Sequence, residues 1–122
     1  MSNMDKSVYI SEHFMRLEFE CRCGCGFATA DVELVEALEW LRNHFDAPIK
    51  INSACRCKIY NKSVGGAPNS KHLEGLAADI SVFGVDPEKV QDKFDQKYPN
   101  SYGLGRYTNF THIDSRSKKA RW

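Results

Sequence analysis

The sequence predicts an α+β fold in which a small, mainly antiparallel sheet carries flanking helices. Three observations point that way. Leu34, Val35, Leu38, Leu41 and Phe45 recur at helical spacing, residues 49–52 and 76–82 alternate apolar and polar positions, and a proline-opened helix separates these strands from two more. Strands interleaved with short helices, without internal repeats, fit that architecture best.

Each element has a local reason. Residues 11–14, Ser-Glu-His-Phe, can open a short helical turn, and residues 21–27 form a glycine-punctuated loop. Asp31 is a good N-cap for an amphipathic helix over residues 32–45, with His44 as a surface histidine near its C-terminal end. Pro48 stops that helix, and residues 49–52 form a half-buried strand. Residues 56–63 make a short helix ended by the Gly65-Gly66 loop. Residues 76–82 are a strand. Asp86-Pro87-Glu88 opens a helix that runs to about Tyr98 before Pro99. Residues 102–107 and 109–114 pair around a turn at Thr108.

The chain has 122 residues, enough for one domain over residues 1–122. It carries 17 basic and 16 acidic side chains, a net charge of +1, which argues against nucleic acid as the main partner. The basic residues Arg116, Lys118, Lys119 and Arg121 read as a solvated terminus, with a substrate-facing role for Arg116 left open. The polar start, Met1 to Lys6, lacks the apolar core of a secretory signal, and no apolar run reaches the length of a membrane span. A monomer is the expected form.

Five cysteines occur as Cys21, Cys23, Cys25, Cys55 and Cys57. Structural zinc sites usually use Cys-x-x-Cys pairs, so this spacing favours buried free thiols over an all-cysteine metal site. A bridge between the two clusters is the reading for an oxidising compartment.

The chemistry concentrates in Ser70-Lys-His72-Leu-Glu-Gly75-Leu-Ala-Ala-Asp79 and Phe110-Thr-His112-Ile-Asp114. On the first strand Leu76, Ala78, Ile80 and Val82 define the core face, which puts Asp79 on the other side beside Ala77 and Ser81. On the second, Phe110, His112 and Asp114 share one face while Ile113 points away. If the strands pair, two histidines and a carboxylate meet. That is a catalytic zinc set that leaves a fourth position for water.

The pattern Ser70-x-His72-x-x-Gly75-x-Ala77-x-Asp79 with a distant aromatic-x-His112 resembles the peptidase M15 family, the zinc D-alanyl-D-alanine carboxypeptidases. That family contains phage endolysin peptidases and is related in fold to the Hedgehog signalling domain. Ser53-x-x-Arg56, Asn61, Gly65-Gly66 and Gly103-Leu-Gly105-Arg-Tyr107 resemble it too, so the likeness covers residues 8–122. The resemblance implies one catalytic zinc ion on His72, Asp79 and His112. It implies that Arg56 binds a substrate carboxylate or polarises the scissile carbonyl. Ser70 would hydrogen-bond substrate, hold Asp79, or only fix its own loop.

Many relatives carry an acid three residues before the last histidine, where this chain has Asn109. Asp114 then becomes the expected general base, or the group that orients a ligand histidine, with Glu74 a weaker candidate. The expected function is hydrolysis of peptidoglycan stem peptides, by a protein made in the cytoplasm and released by phage lysis or carried in a virion. Two alternatives stand beside it: a zinc-containing peptide-binding module that does not cleave, and a cysteine zinc knuckle for a nucleic acid or protein partner.

Overall fold

A computed structural model describes residues 8–122; the polar segment that precedes them, read above for a secretory signal, lies outside the described residues. Three helices and five strands follow a short 3-10 turn at Arg16–Phe19. They are α1 (Val32–Phe45), β1 (Ile49–Ser53), α2 (Lys58–Ser63), β2 (Ala77–Val82), α3 (Pro87–Lys97), β3 (Gly103–Arg106), β4 (Thr111–Asp114) and β5 (Ala120–Arg121). The sheet order is β1-β2-β4-β3-β5, antiparallel except where β5 runs parallel to β3. This is the small α+β fold that the alternating patterns predict.

The helices start where their caps allow. The Asp31 carboxylate accepts the backbone N–H of Glu33, and α1 ends before Asp46, which adopts the left-handed conformation. Its apolar stripe buries Leu34, Val35, Leu38 and Leu41 against Ile51, Ala78, Ile80, Leu104 and Ile113 of the sheet. Val90 and Phe94 of α3 join the same core. Each such side chain contributes about 1.5–3 kcal/mol on full burial. With α1 and α3 on one face, the other face of β2 and β4 is free to carry polar groups.

The strand register decides what meets there. Ala77 pairs with Asp114 and Asp79 with His112, while Ala78 and Ile113 pair on the core side. The β1–β2 ladder shifts between Ile51 and Ser53, which brings Ser53 opposite Asp79. Such a bulge bends the strand end, and here it turns the chain from Ser53 toward the polar face.

Several expectations need correction. The helical turn falls at Arg16–Phe19, not at residues 11–14, because the Ser11 hydroxyl donates to Glu39 and the Glu18 carboxylate accepts from the Met15 amide instead. Helix α2 begins at Lys58, since the Arg56 amide donates to the His72 carbonyl and the Cys57 sulfur caps the helix by accepting from Tyr60. The strands flanking Thr108 are shorter than expected, with Tyr102 left-handed before β3.

The basic terminus is solvated at Lys118 and Lys119 but not at Arg116 and Arg121. Arg121 pairs with Asp95 and donates to the carbonyls of Tyr98, Ser101 and Tyr102, so β5 is held to the end of α3. Nor are the cysteines uniformly buried: Cys21 and Cys55 are, whereas Cys23 and Cys25 are exposed. Among the described residues no helix is long and apolar enough to cross a membrane.

Candidate metal centre

His72, Asp79 and His112 come from three separate places. His72 sits in a 3-10 turn (Lys71–Glu74) that Ser70 caps, its hydroxyl accepting the His72 amide. Gly75 closes that turn at φ 71, and a side chain there would collide with Thr29. The turn folds His72 back over β2, where Asp79 and His112 already face each other as a cross-strand pair. The three donor atoms lie within 4.8 Å of one another.

The outer hydrogen bonds assign a lone pair to each imidazole. His72 Nδ1 lies 2.6 Å from the Ala54 carbonyl, which can only accept, so Nδ1 carries a proton and Nε2 is the nitrogen left to face the cleft. His72 Nε2 is 3.3 Å from Asp79 Oδ1. On the other side, His112 Nε2 donates to Asp114 Oδ2 at 2.8 Å, leaving His112 Nδ1 toward Asp79 Oδ1 at 2.9 Å. Two nitrogen lone pairs and a carboxylate oxygen thus converge on one point. Such a set repels itself unless a cation or an added proton lies between.

The donor set fits zinc. Bonds of about 2.0–2.1 Å to nitrogen and oxygen in a tetrahedral shell set neighbouring donors about 3.3 Å apart. Electrostatics show the same pull toward positive charge. Burial pushes the Asp79 carboxyl up, but with protons added on the facing nitrogens in place of a cation, the bonds from His112 and His72 outweigh it and hold it well below the usual carboxylate range. Burial pushes His112 down, and its bonds to Asp114 and Asp79 overturn that and raise it.

Asp114 stands behind His112, not over the cleft. It is 1% exposed, and both its oxygens are engaged by Arg116, through Nε at 2.7 Å and Nη2 at 2.8 Å, besides the bond from His112. Burial raises its carboxyl, and the bonds from His112 and Arg116 outweigh that and keep it ionised to low pH. Of the two roles open to Asp114 from sequence, this geometry suits orientation of His112. Glu74 is exposed, pairs with Lys71 and does not line the cleft. Asn109 is exposed and outside the lining too.

A cleft of about 500 Å³ opens over the three residues. Arg56 enters from the turned end of β1, with Nη2 at 3.5 Å from Asp79 Oδ2 and Nη1 donating to Asn61 Oδ1 at 3.2 Å. Gly66 packs so close that a side chain there would overlap Asn61 and press on Arg56. Ser70 lines the cleft beside its capping role, and no bond to Asp79 is formed by it.

The opposite wall was not legible from the sequence as a site. Trp122 lies against His112, ring centroids 5.0 Å apart, donates to the Tyr107 hydroxyl and has the Arg116 guanidinium over its ring. Tyr107 stacks on Phe110 at 4.4 Å. Gly105 of β3 makes room for the indole, since a side chain there would strike it at 2.7 Å. The alternate glycines of Gly103-Leu-Gly105 were the one signal: a strand face stripped of side chains opposite His112 and Asp114 leaves space for something else.

Among the cleft-lining residues Arg56, Lys71 and Arg116 are cationic, and Asp79 is the one carboxylate. The family model described as Peptidase M15 matches residues 12–114, well over half of the chain and inclusive of every residue of the converging set. No curated protein matches it.

Proposed function

Since the chain belongs to the Peptidase M15 family, we propose that it is a zinc-dependent peptidase that cuts peptidoglycan stem peptides. The observation that carries the reading is the convergence of His72 Nε2, Asp79 Oδ1 and His112 Nδ1 under an arginine-lined cleft. When bound there, zinc supplies Lewis acidity and acidifies water near neutral pH.

The chain's own residues do the rest. Ala54 and Asp114 hold protons on His72 Nδ1 and His112 Nε2, so that the other nitrogen of each ring stays a ligand. Arg56, fixed by Ser53, Asn61 and Asp79, presents a guanidinium to the cleft. Its fork suits the carboxylate of a peptide end or the charge growing on a scissile carbonyl. Tyr107, Phe110 and Trp122 form an aromatic wall that shields one side from water. With one divalent ion added, Asp79 no longer balances the positive charge around it, and an anionic substrate end is favoured.

Purified, zinc-loaded protein should release D-alanine or stem-peptide fragments from peptidoglycan, and a chelator should stop it. With zinc confirmed bound, failure to release either product overturns the enzyme reading. A second reading then takes its place, because Asp79 is the one carboxylate lining the cleft and Asn109 cannot accept a proton. In that reading the protein binds wall peptides without cleaving them, and zinc-dependent retention on peptidoglycan would be the positive result.

A further inference from the structure

We propose that Cys21, Cys23, Cys25 and Cys57 hold a second, structural zinc ion, separate from the one in the cleft. The four sulfurs lie within 4.8 Å of one another. Cys21 Sγ is 3.5 Å from Cys23 Sγ and 3.9 Å from Cys57 Sγ, and Cys23 Sγ is 3.7 Å from Cys57 Sγ. A tetrahedral ion with Zn–S bonds of about 2.3 Å sets its sulfurs about 3.8 Å apart. All four are free thiols, too far apart to be bonded in pairs. A single ion fits these separations, and four complete its shell without water, as in a structural site.

Cys-x-Cys spacing is wrong for such a shell only if the chain is extended. There, alternate residues would stand about 6.6 Å apart, twice the rise per residue. Gly24 removes the difficulty: it takes φ 83, and its amide donates to the Cys21 carbonyl. The loop therefore curls, and three sulfurs face one point. Its base is closed by the Cys21 amide on the Phe27 carbonyl and by Arg22 on the carbonyls of Ile51 and Asn52.

The remaining contacts suit thiolates. The Cys57 amide donates to Cys21 Sγ and the Tyr60 amide to Cys57 Sγ, both at 3.4 Å. Cys55 is excluded from the set, because its sulfur turns inward, accepting from the Thr29 amide and donating to the Thr29 carbonyl. The fourth ligand also has a position that matters. Cys57 follows Arg56 and lies in the same short segment as Ala54, the residue that fixes the His72 tautomer. An ion on Cys57 ties that segment to the loop over residues 21–25, and thereby holds Arg56 and His72 in place.

The test is metal content of the whole protein, purified reduced and free of oxygen. The expected result is two zinc ions per chain, one of them lost in the double variant His72→Ala/Asp79→Ala. Loss of the other is expected in Cys23→Ser/Cys25→Ser. Should the cysteine variant fail to fold, cobalt loading of the His72→Ala/Asp79→Ala protein decides: a thiolate-to-cobalt charge-transfer band supports the site. A parent protein that holds one zinc and keeps it in His72→Ala/Asp79→Ala also supports it, while counting against zinc in the cleft. A cobalt-loaded double variant without that band, or thiols paired as disulfides in the native protein, overturns the proposal.

Discussion

His112 is held between two carboxylates on opposite edges of its ring, with Asp114 Oδ2 2.8 Å from Nε2 and Asp79 2.9 Å from Nδ1. The two acids therefore cannot share a role. Asp79 faces the cleft, and Asp114 sets which nitrogen His112 presents to it.

Asp114→Asn separates these roles experimentally. An amide no longer favours the proton on Nε2, and its NH2 group meets Arg116. If Asp114 orients His112, zinc affinity falls by about 10–100-fold, the usual loss when a partner behind a ligand is removed. Competition with a metal-sensitive dye measures it. A variant that keeps full zinc affinity but loses turnover would instead restore Asp114 as the proton acceptor.

Gly103→Ala should show how tightly that carboxylate is seated. A Cβ at position 103 would stand 2.4 Å from both Asp114 oxygens. The carboxylate is buried between β3 and β4 and cannot swing away without losing Arg116 or His112. The expected cost is about 1–3 kcal/mol, read as a lower denaturation midpoint, with weaker zinc binding in parallel.

Most of this site could be read from alternation. Asp79 and His112 lie opposite their apolar neighbours Ile80 and Ile113, which gives their faces, while the pairing of the two strands, conditional from sequence, comes from the β2–β4 register. Periodicity says nothing of partners brought in by loops or distant strands. Trp122 reaches His112 through a parallel strand that begins after a run of basic residues, and that run looks solvated when its partner Asp95 is unknown. The cysteine loop shows a similar limit of spacing read alone. Cys-x-Cys departs from the usual Cys-x-x-Cys spacing, and the left-handed Gly24 changes what that spacing can reach.

Acid stability should depend on Glu39. Its carboxylate on α1 accepts from the Ser11 hydroxyl at 2.6 Å and the His13 amide at 2.7 Å, fastening the segment before the 3-10 turn. Burial pushes this carboxyl up, but the bonds from Ser11 and His13 outweigh it and hold it below its ordinary value. A folded pKa below the unfolded one means that the unfolded chain takes up the proton first. The stabilisation is therefore present above the unfolded value of 4.5 and is lost as pH falls through the folded one. Glu39→Gln should cost about 1–2 kcal/mol at pH 7, and the gap from the parent protein should close in acid. Urea midpoints at the two pH values check it; a constant gap would remove Glu39 from the acid limb.

Arg56 distinguishes the two kinds of bond the cleft could cut. Its side chain is held by Ser53, Asn61 and Asp79, which leaves little freedom to follow a displaced substrate. If the guanidinium grips a terminal carboxylate, a peptide ending in a free acid is cut much faster than the same peptide ending in an amide. Arg56→Lys, which keeps the charge and loses the fork, should then lower kcat/KM for the free acid by about 10–100-fold, the worth of a charged hydrogen bond of about 1.5–3 kcal/mol. The amide-ended peptide should change little. If both substrates lose equally, Arg56 acts on the scissile carbonyl instead, and the protein is an endopeptidase in its preference.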